Sequence, residues 1–210
     1  MQIYWTDLET TGLDPQRDHI LEIEVLIADL ATPFNARPLY SAVLPFPRGL
    51  IAALGVDPFV VAMHEKNGLW DECHAAWVRN GEKAVSNVEA VERVESELLA
   101  LVPRIEDREE KPTLAGNCVG FDHGFLKRWM PGLAARFHYR YYDVSSVKLF
   151  CRSLGMPRLP SGEAHRAKGD VLESVEHALL CAQWLAEEFA NPGHVAIRDA
   201  LGTRVPGSTR

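Results

Sequence analysis

Two acidic residues near the start of the chain have a spacing that could support metal chemistry. Asp7 and Glu9 are two residues apart in an apolar run that begins at Ile3 and gives way to Thr10-Thr11-Gly12. If this run is a β-strand, both carboxylates project from one face, because side chains alternate along a strand. Two carboxylates at this distance repel each other, which raises the pKa of both. A hard divalent ion such as Mg²⁺ relieves that repulsion, because it binds oxygen ligands of this kind. The pair is therefore either a metal site or the polar end of a strand entering a turn.

Two further carboxylates follow the same pattern at the ends of predicted elements. Asp122 lies where a short predicted strand and a turn give way to a helix, and Asp170 begins the last long helix, five residues after His165. Together with the first pair they make four carboxylates from three segments. Two divalent ions would balance the charge of these four carboxylates. Two such ions can hydrolyse a phosphodiester. An imidazole such as that of His165 could take the proton from the attacking water, since its ordinary pKa lies near neutral pH.

The elements that must position these residues alternate between strands and helices. Apolar runs predict strands over 3–9, 19–30, 39–46, 113–116 and 139–144. Helical spacing predicts helices over 58–66, 69–80, 86–102, 121–130, 145–154 and 169–190. Ser86 and Glu89 form a capping box at the start of the third of these helices. The order predicts a mixed α/β sheet with helices on both faces, whose functional groups gather at strand ends and helix starts.

Composition narrows the class of protein. With 210 residues, 47% of them hydrophobic and 24% charged, the chain can bury a globular core. It lacks the roughly 18 consecutive apolar residues of a membrane span, and its first residues lack the pattern of a signal peptide. The four cysteines are scattered and form no CxxC, which predicts reduced thiols in a cytoplasmic protein rather than a zinc site.

The net charge of −7 limits the kinds of partner. A protein that grips long nucleic acid through its phosphates is usually basic. Either the partner of this chain is not a nucleic acid, or it is a short one that is held at few phosphates.

Three segments together resemble the motifs of the DEDD exonuclease superfamily. The third has the H-x₄-D form of the DEDDh branch, and the resemblance extends over residues 1–190. The three segments are Asp7-Leu8-Glu9-Thr10-Thr11-Gly12-Leu13-Asp14, Asn117-Cys118-Val119-Gly120-Phe121-Asp122 and His165-Arg166-Ala167-Lys168-Gly169-Asp170. The resemblance implies an RNase H-like fold in a single domain over 1–190, followed by a tail over 191–210. It also implies two divalent ions, Mg²⁺ or Mn²⁺, held by Asp7, Glu9, Asp122 and Asp170, with His165 as the general base.

Within that branch, the chain is most similar to the oligoribonuclease family. The similarity lies in the segment from Trp129 to Ser145 and in His64 with the following Gly68-Leu69. Such enzymes are homodimers that remove nucleotides from the 3′ end of very short RNAs. The resemblance implies that Leu13 lies against the terminal bases and that His64 contributes to substrate binding. It also implies that His138, Tyr139 and Arg140 reach across the dimer to close the site around a short single-stranded substrate.

Four positions depart from the pattern of that family. Its members typically have Met at Thr10, Gln at Phe121, Ser at Cys118 and a second Asp at Gly169. Thr10 and Phe121 favour the proofreading and ribonuclease T side of the branch, so a DNA exonuclease acting on longer single strands is the alternative. Phe121 either offers an aromatic surface to the substrate or packs in the core. A third possibility, an inactive nucleotide-binding module, is disfavoured by the intact motifs.

Overall fold

A mixed five-stranded sheet forms the centre of the molecule in a computed structural model, which describes residues 1–79, 86–162 and 165–190. The strands are β1 (Gln2–Thr10), β2 (Ile20–Asp29), β3 (Thr32–Val43), β4 (Thr113–Gly116) and β5 (Tyr141–Asp143). Their order in the sheet is β3-β2-β1-β4-β5. β2 runs antiparallel to both β1 and β3, whereas β4 runs parallel to both β1 and β5. The predicted mixed α/β sheet is confirmed.

Helices connect and cover these strands. They are α1 (Gly49–Ala53), α2 (Pro58–Lys66), α3 (Leu69–Arg79), α4 (Asn87–Leu101), α5 (Gly120–Trp129), α6 (Pro131–Ala134), α7 (Val144–Ser153) and α8 (Ala167–Ala190). A 3₁₀ helix covers Arg108–Glu110. The predicted capping box is confirmed at α4, where the Ser86 and Glu89 side chains each accept a hydrogen bond from the other residue's backbone N–H.

The two faces of the sheet carry separate apolar clusters. Side chains alternate along β1, so Tyr4 and Leu8 pack on the face that includes residues of α4 and α5, and Ile3 and Trp5 pack on the face covered by α8. On the α8 face, Val171 lies against the apolar first half of the strand. The second half of that face carries acidic residues instead, which leaves the end of β1 to a different use.

The predicted elements differ from the observed ones in several places. β3 spans 32–43 rather than 39–46, because it pairs with β2 as an edge strand, where Pro33 and Pro38 interrupt no further ladder. α5 ends before Pro131 as predicted, but α1 and α6 were not predicted, and α6 begins at that proline. Proline suits the first turn of a helix because the N–H it lacks has no partner there. α8 begins at Ala167, two residues before the predicted start.

The predicted tail over 191–210 lies outside the described residues. Among the helices of the described ranges, none is both long enough and apolar enough to cross a bilayer.

Candidate active site

The C-terminal end of β1 brings three predicted carboxylates together with the start of α8. Asp7 and Glu9 lie on the α8 face of β1, as the alternation of strand side chains requires. Asp170 lies in the first turn of α8, where its backbone N–H donates to the carbonyl of Arg166 at 3.0 Å. One carboxylate oxygen from each of Asp7, Glu9 and Asp170 lies within 4.8 Å of the other two. These three residues are called the carboxylate set below.

Asp122, the fourth predicted carboxylate, approaches the same strand from the first turn of α5. Its side chain is 3% exposed, and its Oδ1 accepts a hydrogen bond from the backbone N–H of Leu8 at 3.0 Å. It lies outside the carboxylate set, yet among the neighbouring charges it is the largest cause of the raised pKa of Asp7, after burial itself. All four carboxylates therefore meet at one end of β1.

Burial raises the pKa of all four carboxyl groups, because each loses hydration that stabilises its charged form. The pKa of Asp7 lies well above its usual range, and those of Glu9 and Asp122 rise to about 8. Burial also raises the pKa of Asp170. Neighbouring carboxylates add to the effect at Asp7 and Glu9. A divalent cation would remove both penalties, and an all-oxygen set of ligands suits Mg²⁺ or Mn²⁺, so these residues fit the predicted ions.

His165, the predicted general base, precedes α8 and has an exposed side chain. Its backbone φ of 43° lies in the left-handed region, which is uncommon for a residue with a Cβ. Its carbonyl accepts a hydrogen bond from Nδ2 of Asn67. Burial raises the pKa of Asp170, and the imidazole of His165 opposes that rise. The ring therefore lies within electrostatic reach of the carboxylate set but is not a member of it.

A groove of about 870 Å³ opens beside Glu9. Leu13, predicted to lie against the bases, is 81% exposed and lines this groove. Phe121 also lines it, half-buried, with its ring tilted against Phe125 at 5.0 Å, so the residue both packs on the core and faces the groove. Phe59, at the start of α2, is 71% exposed and lines the same groove. Sequence reasoning missed Phe59, although an aromatic residue directly after Asp57-Pro58 is a usable signal.

His64, predicted to bind substrate, does not reach the groove. Its side chain is 0% exposed, and its ring lies edge-on to Trp70 at 5.4 Å. Its Nε2 lies 3.2 Å from the carbonyl oxygen of Thr10 and 3.8 Å from Oε2 of Glu9. Burial lowers its pKa. In this arrangement the ring cannot touch a ligand. It lies instead against Glu9, on the side of that residue away from the groove.

His138, Tyr139 and Arg140 lie at the other end of the sheet. The N–H of His138 donates to the carbonyl of Pro112, which immediately precedes β4. Because β4 starts beside Ile3, four residues before Asp7, this segment lies roughly 13 Å along the strand from the carboxylate set. It is ordered by the 3₁₀ helix, through an Arg140–Glu109 ion pair at 3.6 Å and Arg108 stacked 4.3 Å over the Tyr139 ring. Within one protomer, these three residues do not join the site.

An ion-pair network that sequence reasoning missed lies beside the carboxylate set. Glu22 of β2 is directly opposite Glu9 in the sheet and is buried. Its carboxylate accepts hydrogen bonds from Arg166, whose guanidinium also donates to Glu72 of α3. The available signal was the acidic pair Glu22 and Glu24 in the apolar run of β2, which has the same spacing as Asp7 and Glu9.

Comparison with curated proteins finds relatives that share most of this chain. It is 34% identical over 179 residues to the oligoribonuclease of Corynebacterium diphtheriae, covering 83% of this chain and 78% of the relative. Identity is 30% over 192 residues with the oligoribonuclease of Paraburkholderia xenovorans, which is covered to 85%. With that of Sodalis glossinidius it is 35% over 177 residues, covering 82% of this chain and 89% of the relative. No family model matches the chain.

Solved structures share the fold at low sequence identity. Exonuclease I from Methylocaldum szegediense superposes with a TM-score of 0.59 at 18% identity, over 97% of this chain. A zinc-bound complex of E. coli exonuclease I with single-stranded DNA superposes with a TM-score of 0.52 at 13% identity, over 90% of this chain. The chain spans 46% and 43% of those two proteins, respectively. At these identities the likeness establishes the RNase H-like fold alone.

Proposed function

The chain belongs to the oligoribonuclease family, and from that membership we propose that it is a metal-dependent 3′→5′ exoribonuclease. The proposed substrates are short oligoribonucleotides, down to dinucleotides, and the products are nucleoside 5′-monophosphates. The observation that carries the proposal is the carboxylate set, whose oxygens lie within 4.8 Å of one another at the end of β1, with Asp122 beside it.

In the proposed site, Asp7, Glu9, Asp122 and Asp170 hold two divalent ions, Mg²⁺ or Mn²⁺. When bound, such ions supply positive charge to both the attacking and the leaving oxygen of the phosphodiester. The protein contributes a fixed and buried set of oxygen ligands. Keeping these carboxylates charged in the absence of a cation costs free energy, so their burial favours the metal-bound state.

His165 acts in this scheme as the general base. An imidazole nitrogen accepts the proton of the water whose oxygen attacks phosphorus, while the bond from phosphorus to the 3′ oxygen of the preceding nucleotide breaks and that oxygen takes up a proton from solvent. Exposure at the mouth of the site lets the ring approach that water and then release the proton to solvent. Its place in the sequence, five residues before Asp170 and just before α8, supports a position next to the reacting atoms.

The groove beside Glu9 supports the choice of a short substrate. Leu13, Phe59 and Phe121 offer an apolar and aromatic lining against which bases can stack. With a net charge of −7, the protein has little capacity to hold a long phosphate backbone. His138, Tyr139 and Arg140 complete the site in this proposal from a second copy of the chain, since they lie away from the carboxylate set of their own protomer.

The four cysteines support the predicted cytoplasmic location. Cys73, Cys118, Cys151 and Cys181 are all free thiols. Unpaired cysteines are typical of compartments that keep thiols reduced.

The decisive experiment compares rates on RNA and DNA of two, five and twenty nucleotides, with Mg²⁺ or with Mn²⁺. We expect metal-dependent release of nucleoside monophosphates from the 3′ end, fastest on the shortest RNA, and none from Asp7→Asn or Asp170→Asn. We expect His165→Ala to lower kcat by about 10²- to 10⁴-fold while metal affinity is retained.

Each other outcome points to a different function. Equal rates on long single-stranded DNA would identify a DNA exonuclease. Nucleotide binding without hydrolysis by the unaltered protein would identify an inactive binding module. A loss of metal affinity in His165→Ala would reassign that residue as a ligand.

A further inference from the structure

Arg166 joins the start of α8 to β2 and to α3 at the edge of the candidate active site. Its Nε and Nη2 donate to the two carboxylate oxygens of Glu22 at 3.0 and 2.9 Å. Its Nη1 and Nη2 donate to the two oxygens of Glu72, each at 2.8 Å. Two carboxylates thus share one guanidinium in paired, two-point contacts, the strongest geometry available to an arginine. Arg166 with Glu22 and Glu72 is called the Arg166 clamp below.

Glu22 also fixes the first residue of α8. Its Oε2 accepts a hydrogen bond from the backbone N–H of Ala167 at 3.0 Å. The first N–H groups of a helix lack partners within that helix, so this carboxylate caps α8 from the neighbouring strand. Since Glu22 is buried and opposite Glu9 in the sheet, the cap ties α8 to the strand pair that carries two of the predicted metal ligands.

Within the third motif, Arg166 lies between His165 and Asp170, the two residues with proposed functions. On one side, the carbonyl of Arg166 accepts the backbone N–H of Asp170 at 3.0 Å. On the other side is His165, whose carbonyl is held by the side chain of Asn67. The guanidinium also donates to the carbonyl of Asn67 at 3.5 Å, so the same α2–α3 turn contacts both Arg166 and His165.

We infer that the Arg166 clamp is a positioning device for the proposed nuclease reaction, an inference that rests on the proposed function. It sets the start of α8 so that the Asp170 carboxylate meets Asp7 and Glu9, and it holds the backbone from which His165 reaches the site. Arg166, Glu22 and Glu72 touch neither substrate nor reacting atoms in this role. Displacing a reacting group by about 1 Å can cost about a hundredfold in rate, so the geometry of this clamp bears directly on turnover.

A control variant exists next to the clamp, at an arginine that contacts α2 and α3. Arg48 joins α2 to α3, through Glu65 at 3.6 Å and Asp71 at 2.7 Å, and within the described residues these ion pairs do not include α8. Arg48→Gln therefore removes two ionic contacts of an arginine, more exposed than those of the clamp, without touching the third motif. Arg166→Lys keeps the charge of the clamp but loses the planar fork that engages two carboxylates at once.

The test measures kcat and KM on an RNA dinucleotide, Mn²⁺ affinity in the absence of substrate, and the melting temperature. For Arg166→Gln we expect kcat to fall by about tenfold to a hundredfold, with weaker Mn²⁺ binding and KM changed by less than about twofold. Arg166→Lys should recover part of the loss, and Arg48→Gln should match the unaltered protein in kcat and Mn²⁺ affinity. Unchanged kcat and Mn²⁺ affinity in Arg166→Gln with only a lower melting temperature would overturn the inference, as would an equal loss of kcat in Arg48→Gln.

A milder variant covers the case in which Arg166→Gln does not fold. Glu72→Gln removes the charge and one of the two acceptor oxygens of a half-exposed contact of the clamp, and leaves the buried Glu22 paired. We expect it to lower kcat severalfold without a change in melting temperature, and full activity would count against the clamp. An unaltered protein that cleaves no substrate would instead contradict the proposed function, while the Mn²⁺ affinities would still decide whether the clamp positions Asp170.

Discussion

The buried carboxyl groups of Glu9 and Asp122 make the stability of the metal-free protein depend on pH. Burial raises the pKa of each to about 8, far above the value near 4 of a carboxyl group in an unfolded chain. The folded protein without metal therefore binds more protons than the unfolded chain between those two values. By linkage, this contribution to stability is fully present below about pH 4 and is lost as the pH rises through about 8.

We therefore expect the metal-free protein to lose stability as the pH rises from 5 to 8. The measurement is the melting temperature in EDTA at each pH, for the unaltered protein and for Asp122→Asn, which keeps the acceptor for the N–H of Leu8 but cannot ionise. The variant should gain stability relative to the unaltered protein as the pH rises. A stability difference between the two that does not vary with pH would contradict the raised pKa of Asp122, and Asp71→Asn, on an exposed carboxyl, is the control.

The type and spacing of single residues revealed much of the candidate site, but not the contacts between distant ones. Asp7, Glu9 and Asp170 could be selected because the spacing of Asp7 with Glu9, and of His165 with Asp170, matches motifs that occur together in this chain. Glu22 could not be assigned, because its role depends on Arg166, which lies 144 positions away along the chain. Nothing in the local sequence of His64 indicates that its ring is fully buried behind Glu9.

At the scale of elements, α8 is held on the sheet by apolar contacts from the same face that carries the carboxylates. Val171 is 0% exposed and packs in a cluster with Ile3, Trp5 and Leu26. Asp170 directly precedes it in the sequence. The packing of this one turn therefore fixes the distance between helix and strand at the point where the carboxylate set forms.

We expect Val171→Ala to lower the free energy of unfolding by about 2 kcal/mol, through the lost burial of two methyl groups and the cavity left behind. Chemical denaturation measures the change. The neighbouring Leu172 is 50% exposed, so Leu172→Ala should change the free energy of unfolding by less than about 0.5 kcal/mol. Equal effects of the two substitutions would mean that α8 is not anchored through Val171.

Elements with a strong periodic pattern were predictable, whereas those defined by their neighbours were not. β1, α2 and β4 follow from apolar runs and clear stops in the sequence. The first part of β3 is polar and contains two prolines, and it is a strand because β2 offers it a free edge. α1 and α6 are each a single turn or little more, too short for helical periodicity to be visible.

At the scale of the whole molecule, the predicted site residues divide between two ends of the sheet. The carboxylate set, His165 and the groove lie at the C-terminal end of β1, whereas the segment with His138, Tyr139 and Arg140 lies beside the start of β4. If both groups act on one short substrate, a second copy must supply one of them. A two-fold symmetric dimer does this twice, because each protomer gives to its partner what it receives.

This division predicts complementation between two inactive variants. Asp7→Asn disables the metal site of its own protomer, and Arg140→Ala disables the segment that it lends to its partner. A heterodimer of the two, purified with two different tags, contains one site in which both groups are intact. We expect it to have about half of the activity of the unaltered dimer, although each variant alone is nearly inactive.

A heterodimer of Asp7→Asn and Asp170→Asn has no intact metal site and should stay inactive. Light scattering that reports a monomer, or a mixed dimer no more active than its parents, would return His138, Tyr139 and Arg140 to a role within their own protomer.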